Sequence, residues 1–392
     1  MVVSKVLDDD DLLAEILLRV AFPTTLVRAA AVCTRWLHHV SDGAFLRRFR
    51  KLHPPRLLGF YLDNVDDDAP GARRLPCFLP MLPQAPELAA VIRRATSTFD
   101  AYQSNKSSTH IIDCRNGSAL VELREDGGGS TIGVHRLLCH EKDTAFVPPF
   151  PCHGLHQHDA ALLKCKVLPK EEEEGLLSYL YVFIQPTMGS KPSVIIYMLQ
   201  NGVWHMHHSL STELLLNPWW RRKHVLVDNK IYMQVVRGSI IVLDLTASSV
   251  SSINLPQGVE HSSTNTILAQ ADDAASVYLI HVKKRLLRIW LHNGDGWVLV
   301  DTICLHEMCA SLNMLHCGAF RRINQAGDNA EFVFLEMGQW LLFLDIRRRT
   351  LRKVYENPCT DSWSIMGDVY PFVMVWPPTF PALKHDPVRF AS

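Results

Sequence analysis

The chain has 392 residues, 47% of them apolar and 20% charged, and its 40 Lys and Arg balance its 40 Asp and Glu. A chain of this length holds roughly two or three domains or one large repeat array. The charge balance excludes a broadly basic nucleic-acid binder and an acidic disordered chain, and the apolar share excludes global disorder.

The N-terminus, MVVSKVLDDDDLL, sets four aspartates where a secretory signal would need its apolar core. No apolar run reaches the roughly 18–20 residues that span a bilayer, so no membrane association is expected. The ten cysteines are scattered along the chain. They read as reduced thiols of a cytoplasmic or nuclear protein.

Residues 8–53 predict four short helices. Leu12, Leu13, Ile16, Leu17 and Val20 repeat with the spacing of one helical face, behind the carboxylates of Asp8–Asp11 at the positive end of the dipole. Pro23 ends this helix. Thr24 or Thr25 caps a second, carrying Leu26, Ala29, Ala30 and Cys33. Thr34 caps a third with Trp36, Leu37 and Val40, and Asp42 a fourth with Phe45, Phe49 and Leu52. Four short helices make a marginal core on their own, and leucines cover more than one stripe of the first. The pattern predicts a helical module that docks on another protein.

The segments LDDDDLLAEILLRV (7–20), LVR (26–28), VCTRW (32–36) and SDGAF (41–45) together resemble an F-box. The Glu-Ile-Leu at 15–17 and the Val-Cys-x-x-Trp at 32–36 carry most of the likeness. Asp8 stands where the family usually has proline, and the proline after the first helix is displaced to Pro23. The resemblance implies a Skp-type adaptor as partner, and through it a cullin–RING core. On this reading Leu7, Leu12, Ile16, Leu17, Leu26, Val32, Cys33 and Trp36 are adaptor-facing.

Beyond residue 56 the pattern turns to short period-two runs. Strands are expected at 179–184, 194–199 and 203–208. The stretch 224–245 reads as strand, turn, strand, turn, strand, with turns at Asp228-Asn229 and Arg237-Gly238, and a further strand follows at 250–255. The plan repeats at 277–282, 286–291 and 297–303, and again at 332–336, 340–346 and 351–355. Central strands align on Tyr197, Leu243, Ile289 and Leu344, spaced by 46, 46 and 55 residues. About four strands in every 40–50 residues is the signature of a β-propeller. An earlier copy is expected over 111–148, with strands at 118–123 and 133–139. A β-sandwich is the alternative architecture. Five or six blades fit the spacing, and 56–62 pairing with 369–376 would close the ring. The acidic run 171–174 reads as a solvated loop insertion, and Gly127–Gly129 as a hairpin tip.

This region also resembles the β-rich domain that follows the F-box in a large family of plant F-box proteins. The likeness rests on PRLLGFY (55–61), DCRNG (113–117), Trp290-Leu291 with WVLVD (297–301), Leu344-Asp345-Ile346 with KVYE (353–356), and YPFVMVWPPTFP (370–381). The resulting division is an all-α F-box module over 1–53, a linker and first β segment over 54–109, and an all-β propeller-like domain over 110–392.

Three histidine and cysteine groups invite a metal reading. Cys139, His140, Cys152, His153, His156 and His158 lack paired zinc-ligand spacing. His205 and His207 would share one strand face, but no third ligand is identified. Cys304, His306, Cys309, His316 and Cys317 read as a helix and following strand with ordinary buried thiols. Neither a metal nor another cofactor is expected. No nucleophile elbow, phosphate loop or dinucleotide fingerprint occurs. The basic triplets at 221–223 and 347–349 read as solubility features, so nucleic acid is not an expected partner.

The expectation is a non-enzymatic substrate receptor of an SCF-type ubiquitin ligase. The substrate is a protein whose contact residues stay unassigned. The alternatives are an F-box-like scaffold outside ubiquitination and an enzyme built on the propeller.

Overall fold

A computed structural model describes residues 7, 9–20, 23–53, 56–63, 75–100, 108–115, 117–124, 130–137, 144–146, 164–171, 177–185, 193–200, 203–211, 224–234, 238–260, 264–271, 275–358 and 366–374. Contacts divide the chain into two units, one of 1–59, 115–117 and 372–392, the other of 60–114 and 118–371.

The first unit opens with four helices: α1 (Asp10–Leu18), α2 (Pro23–Ala30), α3 (Thr34–Ser41) and α4 (Gly43–Leu52). The aspartate run resolves into separate roles. Asp9 is the N-cap of α1, its carboxylate accepting from Asp11 N and Leu12 N at 3.0 Å each, while Asp10 and Asp11 form the acidic first turn. Pro23 begins α2 as its first residue, so the proline expected to stop α1 starts its successor. Cys33, not Thr34, precedes α3, with no side-chain cap bond. Asp42 caps α4 as expected, accepting from Ala44 N at 2.9 Å. One cluster holds the helices: Leu13, Leu17, Leu18, Leu26, Val40, Phe45 and Phe49 are all buried in it. Each such side chain contributes about 1.5–3 kcal/mol when fully buried.

The β region begins with β1 (Leu57–Asp63), β2 (Cys77–Pro80) and helix α5 (Ala89–Ser97). Five four-stranded antiparallel sheets follow, the blades of a β-propeller. Blade 1 is β3 (Ser108–Arg115), β4 (Ser118–Arg124), β5 (Ser130–Arg136) and β6 (Thr144–Phe146). Blade 2 is β7 (Lys164–Glu171), β8 (Leu177–Gln185), β9 (Ser193–Gln200) and β10 (Val203–Ser211). Blade 3 is β11 (His224–Val227), β12 (Lys230–Gln234), β13 (Ser239–Asp244) and β14 (Ser249–Asn254). Blade 4 is β15 (Thr266–Gln270), β16 (Val277–Lys283), β17 (Leu286–His292) and β18 (Trp297–Cys304). Helix α6 (His306–Ser311) leads to blade 5: β19 (Arg322–Ala326), β20 (Phe332–Met337), β21 (Trp340–Asp345) and β22 (Thr350–Glu356). The last strand, β23 (Asp368–Val373), joins a three-stranded sheet in the order β2-β1-β23.

Tyr197, Leu243, Ile289 and Leu344 all fall in the third strand of their blades, which is why their spacing reported the repeat. The expected pairing of the two ends of the β region is realised: β1 lies beside β23, and Met374 N donates to Arg56 O at 2.9 Å. The first strands β7, β15 and β19 were not anticipated, nor was α5. Asp228 and Asn229 both take positive φ (46° and 54°), the twist of a two-residue hairpin between β11 and β12. Glu171 ends β7, so the acidic run begins inside a strand; residues 172–174 lie outside the described residues, as do Gly127–Gly129 and the 221–223 triplet.

Each sheet uses both faces. One face of blade 4 packs on blade 3 through Leu268, Leu279 and Trp290 against Val225, Ile240 and Val242. Its other face packs on blade 5 through Ile280, Val282 and Ile289 against Val333, Leu335 and Leu344. Blade 5 in turn stacks Phe334 on Phe60 of β1 with ring centroids 5.0 Å apart. A polar latch holds β23 to β19. Arg322 donates to the buried carboxylate of Glu336 at 3.2 Å, to Asp368 at 3.1 Å and to Gly367 O at 3.2 Å. Asn324 adds a bond to Gly367 O at 3.0 Å and accepts from Val369 N at 2.9 Å.

Candidate protein-docking surface

The sequence singles out the helical module, and its helices sort the eight named residues into three groups. Leu12 and Ile16 stand one turn apart on α1 and are 46% and 42% exposed, and Val32, in the α2–α3 turn, is 63% exposed. Cys33 beside it is exposed as well. Leu7 and Trp36 are half-buried against the helical core. Leu17 and Leu26 are fully buried in that core. Their assignment as adaptor-facing is therefore corrected: they support the surface from beneath. The cause is helical geometry. Leu13 and Leu17 form the inward stripe of α1, and Leu12 and Ile16 lie one residue, about 100°, around the helix. Val27, 46% exposed on α2, belongs with the outward set and was missed. It follows Leu26 directly, so the same one-residue offset was the available signal.

A clamp fixes the start of α1. Arg35 of α3 donates through Nη1 to Leu7 O at 2.7 Å and through Nε and Nη2 to Asp10 Oδ1 at 2.9 and 2.5 Å. His39 Nε2 lies 2.9 Å from the same oxygen. The Arg35 guanidinium, and secondarily His39, hold the Asp10 carboxyl below its ordinary range. Arg48 of α4 pairs with Glu15 at 2.5 Å, tying the last helix to the first. The ion pairs are exposed, so they orient the helices more than they stabilise them. Asp8, which replaces the usual proline, lies outside the described residues.

On the propeller a second apolar surface appears that sequence reading passed over. Val298, Leu299 and Val300, consecutive on the outer strand β18, are all exposed. A bulge against Ile289 and Trp290 breaks the alternation there.

The metal candidates resolve differently. A bulge between Met206 and His208 interrupts the regular alternation from which a shared strand face was expected for His205 and His207. His208 opposes Ile196 and lies 2.9 Å through Nδ1 from Ser248 Oγ. Cys309 is buried in the core between blades 4 and 5, whereas Cys304 is exposed on β18. Residues 138–143 and 147–163, with the 139–158 group, lie outside the described residues. Among the described residues no three His, Cys, Asp or Glu side chains are placed to hold a metal ion. No helix among them is long and apolar enough to cross a membrane.

Residues 110–380 match the family described as F-box protein AT5G49610-like, beta-propeller. No curated protein matches the chain. Among solved structures, a protein from Lactobacillus plantarum is similar at 11% identity and a TM-score of 0.38, over 81% of this chain and 100% of that one. A luciferin-regenerating enzyme is similar at 13% identity and a TM-score of 0.33, over 67% of this chain and 76% of that one. Saccharomyces cerevisiae Sqt1 is similar at 14% identity and a TM-score of 0.33, over 64% of this chain and 62% of that one.

Proposed function

The chain belongs to the F-box protein AT5G49610-like β-propeller family, and from that premise we propose that it is the substrate receptor of an SCF-type ubiquitin ligase. The helical module docks a Skp-type adaptor, and through it a cullin–RING core in the cytoplasm or nucleus. The propeller binds a protein substrate. The observation that carries this reading is the outward apolar set Leu12, Ile16, Val27 and Val32 on a module with F-box sequence motifs. These side chains lie outside the module's buried cluster. Burying each contributes about 1.5–3 kcal/mol to a complex before the costs of association.

The receptor is non-catalytic. It raises the effective concentration of substrate lysines near a ubiquitin-conjugating enzyme and supplies no acid, base or nucleophile. Leu17 and Leu26 hold the contact helices in place, and Arg35 fixes the N-terminal turn of α1.

The test is capture of a Skp-type adaptor by the full chain, with Ile16→Asp as the variant. A buried charge at the interface is expected to weaken capture about a hundred-fold or more while the melting temperature stays within a degree or two. Undiminished capture by Ile16→Asp sinks the contact assignment. A wild-type chain that captures no Skp-type adaptor sinks the reading itself.

A further inference from the structure

Blade 4 carries a row of polar side chains at one level, one from each strand. The register sets Thr266 of β15 opposite His281 of β16, His281 opposite Arg288 of β17, and Arg288 opposite Thr302 of β18. Cross-strand partners stand about 5 Å apart, and period-two alternation puts them on one face. That face is the one turned to blade 3, because Leu268, Leu279 and Trp290, each two residues along, pack there. Burial falls along the row. Thr266 and His281 are buried, Arg288 is half-buried and Thr302 is exposed. The row therefore opens to solvent at its outer end.

Two buried N–H groups at this level lack acceptors. His281 Nε2 lies 3.5 Å from Asn265 Nδ2, which donates, so the neutral ring keeps its proton on Nδ1. That nitrogen is buried with no partner, and so is Trp290 Nε1. Native interiors rarely leave such groups unmatched without a reason. The neighbouring carboxylates are engaged elsewhere: Glu260 by Lys283 at 2.8 Å and Asp301 by Arg349 at 2.7 Å. Lys283, Lys284, Arg285 and Arg288 crowd one hairpin. Arg285 is turned to the carbonyls of Leu315 and Gly318 at 2.6 and 3.3 Å. Burial first, then the Arg288 and Lys283 charges, push the His281 imidazole down to about 4, consistent with a positive local field.

We infer that this row is an oxyanion-binding site, with Arg288 engaging the oxygens of a carboxylate or phosphate group carried by a protein ligand. Thr302 is the outer donor, and the unpaired N–H groups of His281 and Trp290 flank the anchor. A guanidinium is suited to this because its planar fork meets two oxygens at once. The inference rests on the substrate-receptor reading only for the ligand being a protein; the anion chemistry belongs to the blade.

The full chain is titrated with inorganic phosphate and, separately, with acetate, at constant ionic strength set with sodium chloride. A saturable rise in melting temperature is expected with at least one, and the tighter of the two tells a phosphorylated from a carboxylate side chain. Arg288→Gln is expected to weaken that affinity about ten-fold or more, while Arg348→Gln, in the exposed β21–β22 turn, leaves it unchanged. In the wild-type chain the same anion should slow phenylglyoxal modification of Arg288 and not of Arg348, a readout that needs no variant to fold. No saturation with either anion, equal affinity in Arg288→Gln, or modification of Arg288 indifferent to both anions overturns the site. None of these measurements involves the adaptor. Failure here leaves adaptor docking standing, and failure of adaptor capture leaves the oxyanion site standing.

Discussion

The helical module and the blade array solve the same problem differently. Both are rich in leucine, isoleucine and valine. In the blades each sheet has two apolar faces, and each face finds a neighbouring sheet: Ile280 and Ile289 meet Val333 and Leu344, while Leu268 and Leu279 meet Val225 and Val242. In the module one cluster of buried side chains holds four helices, and Leu12, Ile16, Val27, Val32 and Leu52 are left over. The sheet faces of a repeat array are absorbed by the next repeat, leaving apolar exposure on outer strands such as β18, whereas a small helical module has no next repeat to cover its outward side chains.

The largest loss of stability is expected at Phe334. It is fully buried and touches the rings of Phe60, Phe332 and Phe343 at the joint between blade 5 and β1. Phe334→Ala is expected to cost about 3–5 kcal/mol in urea unfolding of the full chain. A loss under 1 kcal/mol means that this joint is not what holds the β region together.

Leu17→Ala, in the module core, should cost about 2–4 kcal/mol. In so small a core that is enough to unfold the helices while the blades stay folded. Limited proteolysis should then cut within 9–52 and spare the strands. One coincident transition for both regions would show that they are not independent, and the contrast drawn above would fail. Ile16→Asp sharpens the same point, since it should remove adaptor capture without moving either transition.

The two regions also respond to acid in different windows. His281 is folded with its imidazole near 4, against 6.5 when unfolded. The unfolded chain therefore binds the proton more readily in that interval. The contribution of His281 is complete above pH 6.5 and is lost as pH falls toward 4, about 3 kcal/mol in all. His281→Asn should flatten the loss of stability between those values. Identical slopes for the two proteins would refute this assignment. Asp10 works in the other direction of charge. Its carboxyl is held below 3.8, chiefly by Arg35, so the module loses this interaction only as pH falls past that value. The smallest effect expected is at the α4 cap, where Asp42→Ala removes the bond to Ala44 N and costs about 1 kcal/mol of module stability.

Much of the architecture was legible because it is written in local periodicity. Third strands such as 239–244 and 340–345 are continuous apolar runs, since both faces are buried. The hairpin at Asp228-Asn229 and the cap at Asp42 follow from the chemistry of single residues. The first strands β7, β15 and β19 were not legible. RINQA, which forms β19, reads as a loop, because Arg322 and Asn324 are satisfied by Gly367, Asp368 and Val369, more than forty residues away. The irregularity between Met206 and His208 was not legible for a related reason: a bulge is a property of the pairing, and one strand's sequence does not announce it.

By itself, then, the sequence determined a helical module followed by a β repeat, the spacing of its central strands, and the absence of familiar catalytic motifs. All of these depend on neighbours a few residues apart. Tertiary structure alone decided which leucines of α1 face in and which face out, and which polar groups remain without partners. Leu12 and Leu13 are the same residue type at adjacent positions, and only the placement of α3 and α4 separates a core side chain from an exposed one. The row from Thr266 to Thr302 exists only once four strands are laid side by side. Periodicity records the pressure to bury; which face meets a neighbour is settled by the packing of elements distant in the chain.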